Sequence, residues 1–203
     1  MDHDIMAHGD SRGGGGGVQA AFAGRSAFAA EVRVTVRYHE TDQMGVAHHS
    51  VYPVWFEVAR TEFIKAFGYT YGELENDGLM LPVISLSCEF KGYCRYEDVV
   101  LVRAWVSALT GARIAFGYDA RRLSEARSLR GNGAGDGKGG IAPLVARGET
   151  THAFVDRQLR PVNLRKYKPD VYAAFAEGAR HGPSDGQSDG QSHGSSDGPS
   201  DGR

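Results

Sequence analysis

Asp42 is the residue whose neighbours best equip it for chemistry. It stands in the run Tyr38-His39-Glu40-Thr41-Asp42-Gln43-Met44-Gly45-Val46-Ala47-His48-His49-Ser50, which leads straight into an apolar-periodic stretch. There Val51, Val54, Trp55, Val58, Ala59, Ile64 and Phe67 recur mostly every three or four residues, one stripe of an α-helix. Ser50 occupies the N-cap position, and Gly68 follows the last apolar residue as a stop. Pro53 falls in the first turn, where its missing N–H has no helical partner. The helix is expected to open at about 49–51. A carboxylate just ahead of it faces free N–H groups of partial positive charge. A base or nucleophile beside an oxyanion site is the equipment for hydrolysing an acyl group. The same Asp-x-x-Gly spacing also describes a carboxylate that merely caps its own turn.

Other candidates surround this run. His39, His48 and His49 suggest acid–base work or a metal. Adjacent histidines point differently, however, and no carboxylate stands at a recognised metal spacing, so pocket lining or a helix-start contact is the preferred reading. Glu57 and Arg60 are spaced to pair on the helix surface, worth a few tenths of a kcal/mol. Tyr52 either lines a pocket or packs. Arg157, Arg160, Arg165, Lys166 and Lys168 form a basic cluster late in the chain. Solvated surface is the default for such residues, and a phosphate clamp is the second reading. Cys88 and Cys94 have no sequence partner that marks a nucleophile.

The elements that must position these residues are legible from period. Residues 28–38 alternate, with Phe28, Ala30, Val32, Val34 and Val36 on one face and Glu31, Arg33, Thr35 and Arg37 on the other, a half-buried strand. After the long helix, Thr70-Tyr71-Gly72-Glu73 reads as a capping box opening a short helix that ends near Gly78. Strands are expected at 81–90, 98–109, 113–123 and 144–155, with Pro82 confined to the start of the first. Pro169 opens a closing helix over 169–177 with Val171, Tyr172 and Phe175 on one side. One long helix and a mostly antiparallel sheet must bury their apolar faces on each other. The expected class is α+β, a long central helix wrapped by five strands.

The chain has 203 residues, with glycine concentrated in three places. Residues 1–27 and 178–203 lack the apolar content to offset ordering entropy and are expected to be disordered, leaving one domain at 28–177. Residues 124–140 read as a glycine-rich hairpin insertion. A net charge of -2 argues against a nucleic-acid footprint. No apolar run approaches a membrane span, and no secretion signal is evident. Two cysteines fit a reduced, cytoplasmic setting and fall short of a structural zinc set.

The ordered pattern Tyr38-x-x-Thr41-Asp42-x-x-Gly45-Val46-x-His48-His49-Ser50-x-Tyr52, then Trp55-Phe56-Glu57-x-x-Arg60-x-Glu62-Phe63, resembles the signature of the 4-hydroxybenzoyl-CoA thioesterase family, hotdog-fold acyl-CoA thioesterases. The resemblance implies hydrolysis of an acyl-CoA to a carboxylic acid and free CoA, with no metal or redox cofactor. Asp42 matches the family's nucleophile or general base, and the backbone N–H of His49 matches its oxyanion donor. Gly45, Val46, His48, Tyr52 and Trp55 become the candidate substrate-contacting positions, with Arg157 and Arg160 as candidates for the CoA phosphates. Family members usually carry Asn before the Tyr that matches Tyr52; this chain has Val51. The family pairs domains by joining their sheets, with active sites between subunits, so a homodimer or homotetramer is expected. Two rivals are a hotdog dehydratase using His48 or His49, and a non-catalytic protein that binds acyl-CoA or an acyl carrier.

Overall fold

The alternation that runs from Ala30 becomes an edge strand. In this computed structural model, which describes residues 30–123 and 142–180, β1 spans Ala30–Thr35. Apart from residues 178–180, the expectations for 1–27, 124–140 and 178–203 lie outside the described residues. Helix α1 spans Val51–Ala66 and α2 Tyr71–Asn76. The strands β2 (Val83–Phe90), β3 (Val99–Leu109), β4 (Arg113–Leu123) and β5 (Leu144–Ala153) follow. Short α3 (Leu164–Tyr167) and α4 (Pro169–Arg180) close the domain.

The five strands form one sheet in the order β1-β3-β4-β5-β2, antiparallel throughout, so the expected α+β architecture is present. Local chemistry explains most boundaries. Thr70 Oγ1 accepts the Glu73 N–H (3.1 Å) while the Glu73 carboxylate accepts the Thr70 N–H (2.7 Å), the capping box expected for α2. Helix α3 is an element the periodicity missed; Asn163 caps it by accepting the Arg165 N–H. Helix α4 runs three residues past its expected end at Glu177. Gly178 is buried there against the Phe63 and Phe67 rings, where no side chain would fit.

The apolar stripe of α1 lies on the sheet. Tyr52, Trp55, Phe56, Ala59, Phe63 and Ile64 are buried against β3 residues Val100, Val102, Ala104 and Val106. Phe56 stacks on Tyr118 of β4 with centroids 4.7 Å apart and 10° between planes. It does so over Gly148 of β5, where a Cβ would sit 2.3 Å from Phe56 Cε2.

Beneath this layer is a buried polar network. The Leu81 carbonyl can only accept, so His152 Nδ1 donates to it (2.9 Å) and Nε2 is the acceptor. Nε2 then takes an N–H from Arg60 (2.8 Å) and the Thr150 hydroxyl (2.9 Å), and Thr150 in turn receives the Tyr118 hydroxyl (2.7 Å). Arg60 therefore points into the core, with Tyr71 under its guanidinium. The surface pair with Glu57 that its spacing suggested does not form among the described residues. Burial pushes the His152 pKa down to about 4.

Two predictions follow from packing and linkage. Gly148→Ala forces Phe56 off the sheet, and the midpoint of urea denaturation should fall by an amount equal to about 1–3 kcal/mol. An unchanged midpoint would mean that α1 is free to shift. For His152, the unfolded chain binds a proton near pH 6.5 that the native ring takes only near pH 4. Stability should therefore fall as pH drops through that window, by roughly 2–3 kcal/mol. His152→Gln should lack this slope; equal slopes in both proteins would refute the assignment.

Candidate active site

The site begins with Glu40, a residue the sequence reading passed over. A short 3₁₀ turn, Tyr38–Glu40, carries this carboxylate into the interior, where it is 7% exposed. One oxygen accepts the Arg37 N–H (2.7 Å) and the other accepts the indole N–H of Trp55 (3.3 Å). The Glu40 carbonyl also accepts the His48 N–H (2.8 Å). One residue thus ties the loop's entry and exit to α1. The available signal was Trp55 itself, since a buried indole N–H requires an acceptor.

Between these ties the chain makes a closed turn. Thr41 and Ala47 bridge across it, the Asp42 N–H reaches the Val46 carbonyl (2.9 Å), and the Gly45 N–H reaches the Asp42 carbonyl (2.9 Å). Gly45 has φ +72°, a left-handed backbone conformation that glycine adopts without strain. Asp42 Oδ1 accepts the Met44 N–H at 2.8 Å, so this carboxylate does cap its own turn. No hydrogen bond among the described residues takes Oδ2, and the side chain is half-buried. The turn-capping reading of Asp-x-x-Gly is thus realised on one oxygen, and the other is left without a hydrogen bond among the described residues.

Helix α1 starts immediately beyond. Ser50 is its N-cap residue, but its hydroxyl does not cap. It turns back to His48 Nδ1 (2.8 Å), and the Ser50 N–H is directed at the same nitrogen (3.4 Å). Among the described residues nothing accepts the His49 N–H. The helix therefore presents uncapped donors and the positive end of its dipole beside the turn that holds Asp42. Val51 donates to the His48 carbonyl (3.1 Å), which keeps the helix start in register. The His48 and His49 rings lie against each other at 4.0 Å. No cluster of three or more His, Cys, Asp or Glu side chains able to hold a metal occurs among the described residues.

The remaining candidates divide. Tyr52 is buried beside Phe90 and within 3.9 Å of the Cys94 sulfur, and burial raises its phenol pKa. Burial also pushes the Cys94 thiol up to about 11, so it is no thiolate at neutral pH. Trp55 is in the core, 3% exposed, and acts through Glu40 rather than as an open pocket wall. Gly45 and Val46 belong to the turn. Within one chain, Arg157 and Arg160 lie away from the Asp42 turn. In the β2–β5 register Phe90 faces Ala146 and Val83 faces His152. The Asp42 turn is held at the Phe90 end, where Ala47 donates to the Cys94 carbonyl (2.8 Å). Arg157 and Arg160 follow β5 at the Val83 end, about 25 Å away along this eight-residue strand. They are also engaged. Arg157 donates to the Asn76 carbonyl, and Arg160 holds the Asp156 carboxyl below the usual carboxylate range.

A groove of about 140 Å³ opens between the first turns of α1 and strand β2, bounded by Val54, Glu57, Arg60, Val83, Leu86 and Thr150. A larger polar cavity of about 390 Å³ lies at the other end, beside Asp77, Arg157 and Tyr167.

Known proteins resemble this chain in sequence and fold. The model of the thioesterase superfamily matches residues 44–128. The YneP protein of Bacillus subtilis is 30% identical over 148 residues, covering 72% of this chain and 95% of its own. A hypothetical protein of Thermus thermophilus superposes with a TM-score of 0.60 at 32% identity, over 73% of this chain and 98% of that one. A DHNA-CoA thioesterase of Staphylococcus aureus superposes with a TM-score of 0.61 at 28% identity, over 73% and 89% of the two chains. The chain belongs to the thioesterase superfamily and is a thioester hydrolase of hotdog fold.

Proposed function

We propose that this protein hydrolyses acyl-CoA thioesters, adding water across the acyl carbon–sulfur bond to release a carboxylic acid and CoA. The observations that carry this reading are an Asp42 oxygen free of hydrogen bonds among the described residues and, a few residues further along the chain, the uncapped N–H groups at the head of α1. A relative from Haemophilus influenzae, 34% identical over 84 residues, is named acyl-CoA thioesterase YbgC. Asp42 either attacks the acyl carbon or draws the proton from an attacking water. In both routes the carbonyl oxygen gains charge, and on this reading the His49 N–H receives it. A chain of hydrogen bonds from Glu40 holds turn and helix together, so the donor does not have to reorganise as charge develops.

The acyl group has a natural course along the groove between α1 and β2. That groove is small and open, and a second copy would complete it. Strand β2 is an edge strand whose Val83, Ile84, Leu86 and Phe90 are about half exposed, beside exposed Val54 and Val58 of α1. The other edge, β1, is blunted by Glu31 and Arg33. We infer a homodimer joined along β2, with each active site between subunits and pairing of dimers into a tetramer open to it. Among the described residues no helix is long and apolar enough to cross a membrane. Both cysteines are free thiols, which suits the cytoplasm.

Asp42→Asn tests the mechanism cleanly, because an amide oxygen still accepts the Met44 N–H and preserves the turn. Free-thiol release from a panel of acyl-CoAs should fall by about 10²–10⁴-fold, and the panel names the acyl class. Turnover that survives the substitution but disappears in His48→Gln would instead support a histidine-dependent reaction. Wild type that binds acyl-CoA without hydrolysing it would identify a binding protein. For the assembly, Leu86→Glu places a charge on the inferred joint and should shift the protein to monomers in sedimentation; an unchanged mass would remove β2 from the interface.

A further inference from the structure

The nucleotide end of coenzyme A is phosphates and an adenine ring, and the chain has exposed partners for both beside the Asp42 turn. They come from the connection between β2 and β3, which the turn itself holds through the Ala47–Cys94 hydrogen bond. Tyr93 on this connection is 52% exposed, and two guanidinium groups sit on its ring, that of Arg95 at 5.3 Å from the centroid and that of Arg122 at 5.4 Å. Arg122 also donates to the Tyr93 carbonyl (3.3 Å).

Compensation of these two cations is poor. Asp98 lies 3.9 Å from Arg122, and its carboxylate is already accepting the backbone N–H of Arg95 (2.8 Å). None of the ion pairs among the described residues involves Arg95. Two guanidinium groups on one exposed ring make this spot locally positive, a setting that an anion would stabilise. Arg95 is also close to the chemistry, its Nη1 lying 3.8 Å from where a Cβ on Gly45 would be. Next to it Tyr96 and Tyr38 meet edge to face at 5.7 Å, both rings exposed. An exposed aromatic pair beside paired guanidiniums matches a stacked base with its phosphates.

We propose that the nucleotide end of the CoA substrate docks here, its phosphates between Arg95 and Arg122 and its adenine against Tyr96 and Tyr38. This rests on the acyl-CoA reading above, and it assigns phosphate recognition to the catalytic end of the sheet instead of to Arg157 and Arg160.

The test compares wild type with Arg95→Gln, Arg122→Gln and the double variant on two thioesters of one acyl group, the CoA thioester and the N-acetylcysteamine thioester, which has no nucleotide. The ratio of kcat/KM for the CoA substrate to that for the truncated one should fall at least tenfold in the double variant. Calorimetry with free CoA should show binding weakened about as much, with a reduced dependence on salt. A preserved ratio with preserved CoA binding overturns the proposal. So does an equal loss on both thioesters, which would make the arginines supports of the turn, or a loss seen only with an acyl-carrier-protein thioester, which would make the patch a protein dock. Should wild type hydrolyse neither thioester, the acyl-CoA reading fails, and the CoA titration of wild type against variant still decides the docking site.

Discussion

Helix α1 lies close enough to the sheet for Phe56 to stack on Tyr118 because Gly148 leaves no Cβ beneath it. The helix packs one apolar stripe across the sheet, so its height above the strands sets the packing around it. Trp55 lies on that stripe, one residue before Phe56. Where the helix seats therefore also determines where the indole N–H points, and that N–H receives Glu40. Packing of an apolar face thus becomes, within one turn of helix, the placement of a polar loop.

Glu40 converts that placement into a site. Its side chain and carbonyl bind both strands of the turn that displays Asp42, while Ser50 spends its hydroxyl on His48 and leaves the helix head uncapped. The usual stabilisation from a capping hydroxyl, about 1 kcal/mol, is given up at the start of α1, which leaves its first donors free. Charged residues elsewhere serve different ends. Arg60 is drawn inward to a neutral His152, and Arg103 pairs with buried Asp119 on the sheet. Arg157 and Arg160 staple the far end. Arg95 and Arg122 remain at the Asp42 end, with Asp98 at 3.9 Å from Arg122.

Much of this was legible without coordinates. The five strands, the long helix and its stop at Gly68 follow from period and from turn residues, which are local properties of the chain. The capping box at Thr70 and Glu73 was readable for the same reason. Asp42 and the start of α1 are adjacent in sequence, so the pairing of a carboxylate with helix N–H groups needed no tertiary information. The family pattern added roles to those positions.

What remained hidden depends on residues far apart in the chain. A spacing of three made Glu57 and Arg60 look like a surface pair, but a partner 92 residues away, His152, turns Arg60 inward. Five basic residues late in the chain left a phosphate clamp as a second reading behind solvated surface; the antiparallel register of β2 on β5 puts Arg157 and Arg160 at the opposite end of their own chain's sheet from Asp42. Arg95 carries no local signal at all, and only the crossing of the β2–β3 connection over the turn brings it to Gly45. Sequence by itself determined the elements and the turn that carries Asp42, because periodicity and turn chemistry act over a few residues. Tertiary structure alone decided which charges share a site, because strand register and close packing fix distances between residues that the chain keeps far apart.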